Sequence, residues 1–269
     1  MLDQVADLMR EVAATIVLPR FRHLAESDIH QKSPGDLVTI ADQEAEKALT
    51  SGLIALLPGS AVVGEEAVAA DPKVLDHLSD SGAVWIVDPV DGTNNFAAGK
   101  EPFAIMTALI RDGEIAASWI LDVPGDHLTM AEAGSGAYRD GVRVKTRTDD
   151  PGAGALSGVV AARYLPPQLR EIAGGNAPKL GKVTNGHHCA GYEYPAVSID
   201  AQQFALFWRI LPWDHAPGSL IVREAGGTVR HLDGSPYRVT DTERGMLVAA
   251  NDDIWRTVRD TLFPDISVL

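Results

Sequence analysis

The stretch Trp85-Ile86-Val87-Asp88-Pro89-Val90-Asp91-Gly92-Thr93 decides how this chain is read. Val84 to Val87 form a short unbroken apolar run, the pattern of a strand buried on both faces. The run ends in two carboxylates three residues apart, held in a turn that Pro89 and Gly92 constrain. Two like charges kept close cost free energy unless a cation or a raised pKa compensates. A hard divalent cation takes several oxygen ligands, and carboxylates with a backbone carbonyl supply them. Pro89 donates no backbone N–H, and Gly92 lets the main chain approach a ligand closely. The same letters also make ordinary Asp-Pro and Asp-Gly turns, so the segment alone leaves both readings open.

Working outward, three more segments place carboxylates at the edges of apolar elements. Gly64-Glu65-Glu66 follows the short strand Ala61 to Val63, where a solvated Glu pair is the alternative. Trp213-Asp214-His215 opens a helix expected over Ala216 to Ala225 and closed by Gly226-Gly227, and there Asp214 also suits an N-cap. Asp36-Leu37-Val38-Thr39 follows a Pro-Gly loop, where Asp36 also suits an ordinary loop position. Four segments supplying carboxylate oxygens as ligands, with neither His nor Cys taken as a ligand, point to Mg²⁺ rather than zinc. Mg²⁺ keeps waters and binds most often together with substrate phosphate.

Between these segments the chain alternates helices and strands. Val5, Leu8, Met9, Val12, Ala13, Ile16 and Val17 recur at helical spacing, and Pro19 ends the run. A second helix is expected from about Asp42 to Leu57, stopped by Pro58-Gly59. Phe103 to Ile110 and Glu114 to Leu121 read as a hairpin around Arg111-Asp112-Gly113. Pro151-Gly152-Ala153-Gly154 is the expected boundary between an N-terminal α+β half, residues 1–150, and a C-terminal α/β half, residues 151–269. Strands are expected at Ser157 to Ala162, Phe204 to Trp208, Thr228 to Arg230 and Met246 to Ala250, with a last helix from Asp252 to Leu262.

The 269 residues carry 37 Asp and Glu against 23 Lys and Arg, a formal net charge of -14. Such a chain lacks the basic surface that binds nucleic acid or anionic membranes without sequence preference. A chain of this mass folds to an accessible surface of roughly 11,000 Å², which leaves ample area for a core without staples. The single cysteine, Cys189, excludes an intrachain disulfide and a multi-Cys zinc site. No apolar run reaches membrane-spanning length, and Asp3, Asp7 and Glu11 interrupt any signal-peptide core. A cytoplasmic enzyme acting on a small molecule is expected.

The four acidic segments, in this order, resemble the inositol monophosphatase family of the fructose-1,6-bisphosphatase-like fold. The resemblance rests on Lys32 to Thr39, Gly64-Glu65-Glu66, Trp85 to Phe96, and Trp213-Asp214 through Glu224-Ala225-Gly226-Gly227. Gly134-Ser135-Gly136-Ala137 and Val248-Ala249-Ala250-Asn251 echo it more faintly. It implies a layered α-β-α-β-α sandwich and a lithium-sensitive, Mg²⁺-dependent phosphomonoesterase, commonly a homodimer, with two or three metals per site. Glu65, Asp88 and the Val90 carbonyl would hold one metal. Asp88, Asp91 and Asp214 would hold a second. Thr93 with Asp36 would position and help deprotonate the attacking water, with Glu65 orienting a more weakly held metal or its water. The N–H groups of Gly92 and Thr93 would receive phosphate oxygens at a helix start.

The resemblance implies a small sugar or polyol phosphate, inositol 1-phosphate among them. Histidinol phosphate, fructose 1,6-bisphosphate and 3′-phosphoadenosine 5′-phosphate are alternatives, and a non-catalytic metal-binding scaffold is another. Inositol-selective members carry an acidic residue about where Phe207 stands here, and an aromatic ring makes no such hydroxyl contacts. Arg209 offers a second phosphate or a carboxylate a bidentate partner, unless Phe207 and Trp208 are core and Arg209 is surface. Gly186 to Tyr194 is taken as pocket-lining strand, with His188, Ala190, Tyr192 and Glu193 as candidate substrate contacts. Adjacent His187 and His188 on a strand would face opposite ways and make a poor chelate.

Overall fold

The computed structural model describes residues 1–33, 35–80, 82–241 and 245–265, without the side chains of Ser33 and Asp36. Its architecture is five layers. The outer helices α1 (Leu2–Val12) and α2 (Ile40–Leu56) cover one face of a seven-stranded sheet. That sheet runs in chain order through β3 (Ala61–Gly64), β4 (Ala83–Asp91), β5 (Ala104–Arg111), β6 (Glu114–Asp122), β7 (His127–Glu132), β8 (Gly136–Arg139) and β9 (Val142–Val144). Only β3 and β4 are parallel; the rest is an antiparallel meander. A separate hairpin, β1 (Ile29–Ser33) and β2 (Asp36–Thr39), precedes α2.

The middle helices α6 (Ala190–Ser198) and α7 (Pro212–Glu224) lie between this sheet and a five-stranded one. The second sheet has the order β11 (Gly181–Thr184), β10 (Leu156–Val160), β12 (Phe204–Phe207), β14 (Met246–Ala249), β13 (Thr228–His231). Its far face is closed by α5 (Pro167–Asn176) and α8 (Asp252–Leu262). The expected α-β-α-β-α sandwich is therefore the observed one. Its accessible surface is 11557 Å², close to the value its mass dictates.

The layering follows from strand alternation, since successive side chains point to opposite faces. Trp85 and Val87 pack toward α1 and α2, while Val84 and Ile86 pack toward α6 and α7. Trp119 and Leu121 divide from Ile120 in the same way. In the second sheet Phe204 and Leu206 face α5 and α8, and Ala205 and Phe207 face the middle helices. Both sheets are thus buried on both faces, which explains why their central strands are apolar throughout.

One of the faint sequence echoes meets the main motif in space. Glu224, in the last turn of α7, accepts the N–H groups of Gly134 and Gly136, each at 2.7 Å, and so holds the β7–β8 turn.

The 186–194 stretch differs from its reading. It is a loop that enters α6 at Ala190, not a strand. The helix is buried on nearly all sides, so it shows no polar face and no helical period in the sequence. On a helix, residues three apart share a face. Ala190 and Glu193 accordingly line one cleft, while Tyr192 turns away to a separate pocket beside Asp122 and His127. Tyr192 is thereby removed from the candidate substrate contacts.

Candidate active site

A cleft of about 930 Å³ lies where the two sheets and the middle helices converge. Its floor is carboxylate. β4 pairs regularly with β5 as far as Asp88 opposite Met106, and then slips by one residue so that Asp91 stands opposite Ala104. Pro89 cannot donate to the ladder, so the break falls there. On a regular strand Asp88 and Asp91 would face opposite sides; the bulge brings both to the cleft. Asp214 joins them from α7. Oxygens of Asp88, Asp91 and Asp214 all lie within 4.8 Å of one another.

Asp214 is the third residue of α7, whose cap is Leu211 and whose first residue is Pro212, so it is not the N-cap. Asp88 is buried, and Asp91 and Asp214 are partly buried. Burial, and then the charges of Glu65, Asp91 and Asp214, push the Asp88 carboxyl well above its usual range. Burial with Asp91 and Glu65 does the same to Asp214, against the pull of Arg209. Asp91 is pushed up to about 6, chiefly by burial, although Gly191 donates its N–H to Oδ2 at 2.6 Å. Three oxygen donors crowded this closely repel one another, and an oxygen-seeking divalent cation is the group whose charge and ligand preference fit them.

Glu65 lies at the mouth of the same cleft, as the first residue of α3 (Glu65–Ala70). Its carboxylate accepts Lys32 Nζ at 2.8 Å, and Glu66 accepts the same ammonium at 2.5 Å. Burial disfavours the Lys32 charge, but the two glutamates outweigh it and raise its pKa. The preceding Gly64 is required by packing, because a Cβ there would stand 2.3 Å from the Glu46 carboxyl carbon. Glu46 in turn accepts the N–H groups of Glu66 and Ala67, both at 2.8 Å, and so caps α3.

Gly92 has φ of 85°, and a Cβ there would meet Pro102 O at 3.0 Å and Cys189 Cβ at 3.3 Å. It opens α4 (Thr93–Ala97), a single turn. Such a turn has little macrodipole, so any anion contact there rests on its first N–H groups, which have no partner within the turn.

Thr93 Oγ1 lies 2.8 Å from the Val90 carbonyl oxygen and 3.0 Å from Asp42 Oδ1. A hydroxyl has one proton, so it serves these two acceptors alternately. The expected partner, Asp36, has its side chain outside the described residues. Asp42 was missed, although its signal is present in Thr39-Ile40-Ala41-Asp42, the Thr-x-x-acid pattern of a capping box. Asp42 Oδ2 accepts the Thr39 N–H at 2.8 Å and its hydroxyl at 2.6 Å. Asp42 is fully buried, and burial raises it to about 6 despite those bonds. It therefore sits near the range where a group exchanges protons at neutral pH.

The rest of the cleft lining is different in kind. Arg163, Tyr164 and Arg209 belong to it, with Phe207 and His188. Phe207 is buried and stacks on Tyr194 with ring centroids 5.3 Å apart. Arg209 is not a remote surface residue but part of the cleft. His188 has φ of 57° in the loop before α6. Its neighbour His187 is bonded to the buried Glu193, whose Oε1 accepts the His187 N–H at 2.7 Å. Glu193 Oε2 accepts Gln202 Nε2 at 2.9 Å, so this carboxylate is already partnered. Cys189 is buried, and burial with the nearby Asp91 charge raises its thiol, which leaves it an inert packing residue.

The comparisons with known proteins agree with this geometry. The family model described as "Inositol monophosphatase family" matches residues 1–263. The inositol-1-monophosphatase of Bacillus subtilis is 30% identical over 261 residues, covering 96% of this chain and 94% of that protein. The fructose-1,6-bisphosphatase/inositol-1-monophosphatase of Thermotoga maritima is 28% identical, covering 87% of this chain and 85% of that one. The crystal structure of inositol monophosphatase-II from Staphylococcus aureus superposes with a TM-score of 0.80 at 26% identity, covering 97% and 93% of the two chains. This chain belongs to the inositol monophosphatase family, whose members are metal-dependent phosphoric monoester hydrolases.

Proposed function

We propose that the protein hydrolyses the phosphate monoester of a small sugar or polyol, with water as the direct nucleophile. The observation that carries this reading is the convergence of Asp88, Asp91 and Asp214 within 4.8 Å, beside a hydroxyl bonded to a buried carboxylate. Asp88, Asp91 and Asp214 would hold one Mg²⁺, and Glu65, Asp88 and the Val90 carbonyl another. Bound there, the metals would neutralise phosphate charge and make water acidic enough to be deprotonated near neutrality.

The chain's own groups supply the rest. Thr93 orients a water through its hydroxyl, and Asp42 takes the proton that Thr93 relays. The N–H groups of Gly92 and Thr93 aim at a phosphate oxygen. Lys32 holds Glu65 in place before the metal and substrate arrive. No side-chain nucleophile is needed, consistent with a buried Cys189 and with a buried His215 whose two ring nitrogens are both hydrogen-bonded, to the Tyr194 hydroxyl and the Arg209 carbonyl.

A panel of small phosphates assayed for phosphate release with Mg²⁺ tests the proposal. Inositol 1-phosphate, glucose 1-phosphate, histidinol phosphate, fructose 1,6-bisphosphate and 3′-phosphoadenosine 5′-phosphate span the chemistry. Turnover of at least one, abolished by chelation, supports it. Divalent binding without turnover of any supports a non-catalytic scaffold. A homodimer in the cytoplasm and inhibition by Li⁺ complete the proposal.

A further inference from the structure

A second pocket, of about 440 Å³, borders a different face of α6 from the catalytic cleft. Ala190 and Glu193 line the cleft, whereas Gly191, Tyr192, Pro195 and Ala196 line this pocket. Its other wall is the seven-stranded sheet. The register sets Ile120 opposite Thr129 and Thr129 opposite Arg139, with Asp122 opposite His127 one step along. Cross-strand partners share a face, and so do residues two apart on one strand. Asp122, His127, Thr129 and Arg139 therefore share the face on which Ile120 packs toward the middle helices. That face is apolar along Val84, Ile86, Met106 and Ala108 and turns polar at this corner.

The polar groups of this corner are fixed but not used up. His127 Nδ1 lies 2.8 Å from Asp140 Oδ2, and Asp140 Oδ1 accepts the Leu128 N–H at 2.9 Å. With the Nδ1 proton given to Asp140, His127 Nε2 is left as an acceptor. A Cβ on Gly125 would stand 2.6 Å from Asp122 Oδ2 and 2.9 Å from His127 Cδ2, so carboxylate and imidazole lie side by side. Among the described residues, Asp122 accepts only the Gly125 N–H, at 3.4 Å, and the Arg139 guanidinium makes no hydrogen bond or ion pair. Asp122 on β6 and Arg139 on β8 stand two strand spacings apart, roughly 10 Å. Two opposite charges thus line one pocket without reaching each other. Tyr192 and Ile199 line it too, and they are 40% and 38% exposed.

We infer that this pocket binds a small zwitterion of the class of a free α-amino acid, at a site separate from the catalytic cleft. Asp122 with His127 would take the ammonium, and Arg139 would take the carboxylate bidentately. Tyr192, Pro195 and Ile199 would meet an apolar side chain. A neutral polyol would leave both charges unpaired, and a lone anion would have Asp122 as a repelling neighbour. Binding there needs neither a metal nor a phosphate ester. The site nevertheless adjoins the chemistry, because Gly191 lines it and donates its N–H to Asp91 Oδ2 at 2.6 Å. A Cβ on Gly191 would stand 2.6 Å from Ala104 Cβ, so the start of α6 is packed without slack. A ligand seated in the pocket touches the same helix start that holds a carboxylate of the catalytic floor.

The test uses the full chain without added metal. The standard amino acids are screened by melting shift at about 10 mM, where a site of about 1 mM affinity is mostly filled. At least one is expected to raise the melting temperature. The best is then titrated calorimetrically beside its N-acetyl derivative, which lacks the ammonium, and its primary amide, which lacks the carboxylate. Each derivative is expected to bind about 10-fold or more weakly than the amino acid. Arg139→Gln is expected to weaken the amino acid about 10-fold but not its amide, and Asp122→Asn to weaken it similarly but not its N-acetyl derivative. Both variants are checked for an unchanged melting curve, and if either melts early the three ligands on the wild type decide the matter. No shift from any amino acid overturns the inference, including the case in which a second copy of the chain covers the pocket. Derivatives that bind as tightly as the amino acid overturn it as well. So does binding that ignores both substitutions, since that ligand is seated elsewhere.

Discussion

The two walls of the cleft are built in opposite ways. The floor collects Asp88, Asp91 and Asp214, whose charges burial and mutual repulsion make costly. Another part of the lining collects Arg163 and Arg209 on the ring of Tyr164. The floor's repulsion would be relieved by cations, whereas the wall is tied within the protein, Arg163 donating to the Gly35 carbonyl and both guanidinium groups lying on the Tyr164 ring. On the proposed function, hydrolysis falls to the carboxylate side of the cleft. Variants of the floor should therefore abolish turnover for every substrate, whereas variants of the wall should reorder substrates.

The largest expected effect is on the floor. Asp88→Asn or Asp214→Asn should lower kcat/KM by at least about 10³-fold on every phosphate tested, with the circular dichroism spectrum kept. A loss confined to one substrate would erase the distinction between the walls. Next comes the proton path. Thr93→Val and Asp42→Asn should each cost about 10²-fold in kcat, and the double variant little more than either alone, because the two act as one unit. If Asp36→Asn proves the more damaging carboxylate change, the relay passes through Asp36 instead.

The floor also predicts a pH signature. Burial first, and neighbouring charge after it, raises Asp91 and Asp42 to about 6, from an unfolded value of about 3.9. Without metal, the folded state therefore binds more protons than the unfolded chain between about pH 4 and pH 6. The stability these groups contribute is highest below pH 4 and falls as pH rises through 6. Mg²⁺ held by these carboxylates would reverse the penalty by stabilising the ionised form, and would link Asp214 on α7 to Asp88 on β4. At 100 times its Kd it should add about 2.7 kcal/mol. The melting temperature with Mg²⁺ minus that with chelator should be larger at pH 7.5 than at pH 5. An equal or smaller gap at pH 7.5 would mean that the carboxylates are not the metal's ligands.

The smallest effect lies outside both walls. Glu224→Ala removes a charged cap from Gly134 and Gly136 and should cost about 2 kcal/mol, or about 5 °C in melting temperature. Turnover below the transition should stay within a factor of about two, and a larger loss would mean that the β7–β8 turn reaches the chemistry.

The floor was legible in the sequence because each ligand sits in a contiguous pattern at an element's end. Strand periodicity exposed the layers for the same reason. The wall was only partly legible. Arg209 was singled out as an anion partner, but Arg163 and Tyr164 come from a separate segment with no motif, and only the fold brings them beside Arg209. The helix α6 was hidden because burial on nearly all sides erases the amphipathic period, and reading it as a strand misplaced Tyr192. Asp42 escaped for a subtler reason. Its capping-box spacing explained it fully as a helix start, and nothing local showed that its second oxygen faces Thr93.

The most direct test of the account is phosphate release from the best substrate of the panel, by the wild type and by Asp214→Asn, across a Mg²⁺ titration. The account predicts no release without Mg²⁺, saturating release with it, and no recovery of Asp214→Asn at any Mg²⁺ concentration. Near wild-type turnover of Asp214→Asn at saturating Mg²⁺ would contradict it.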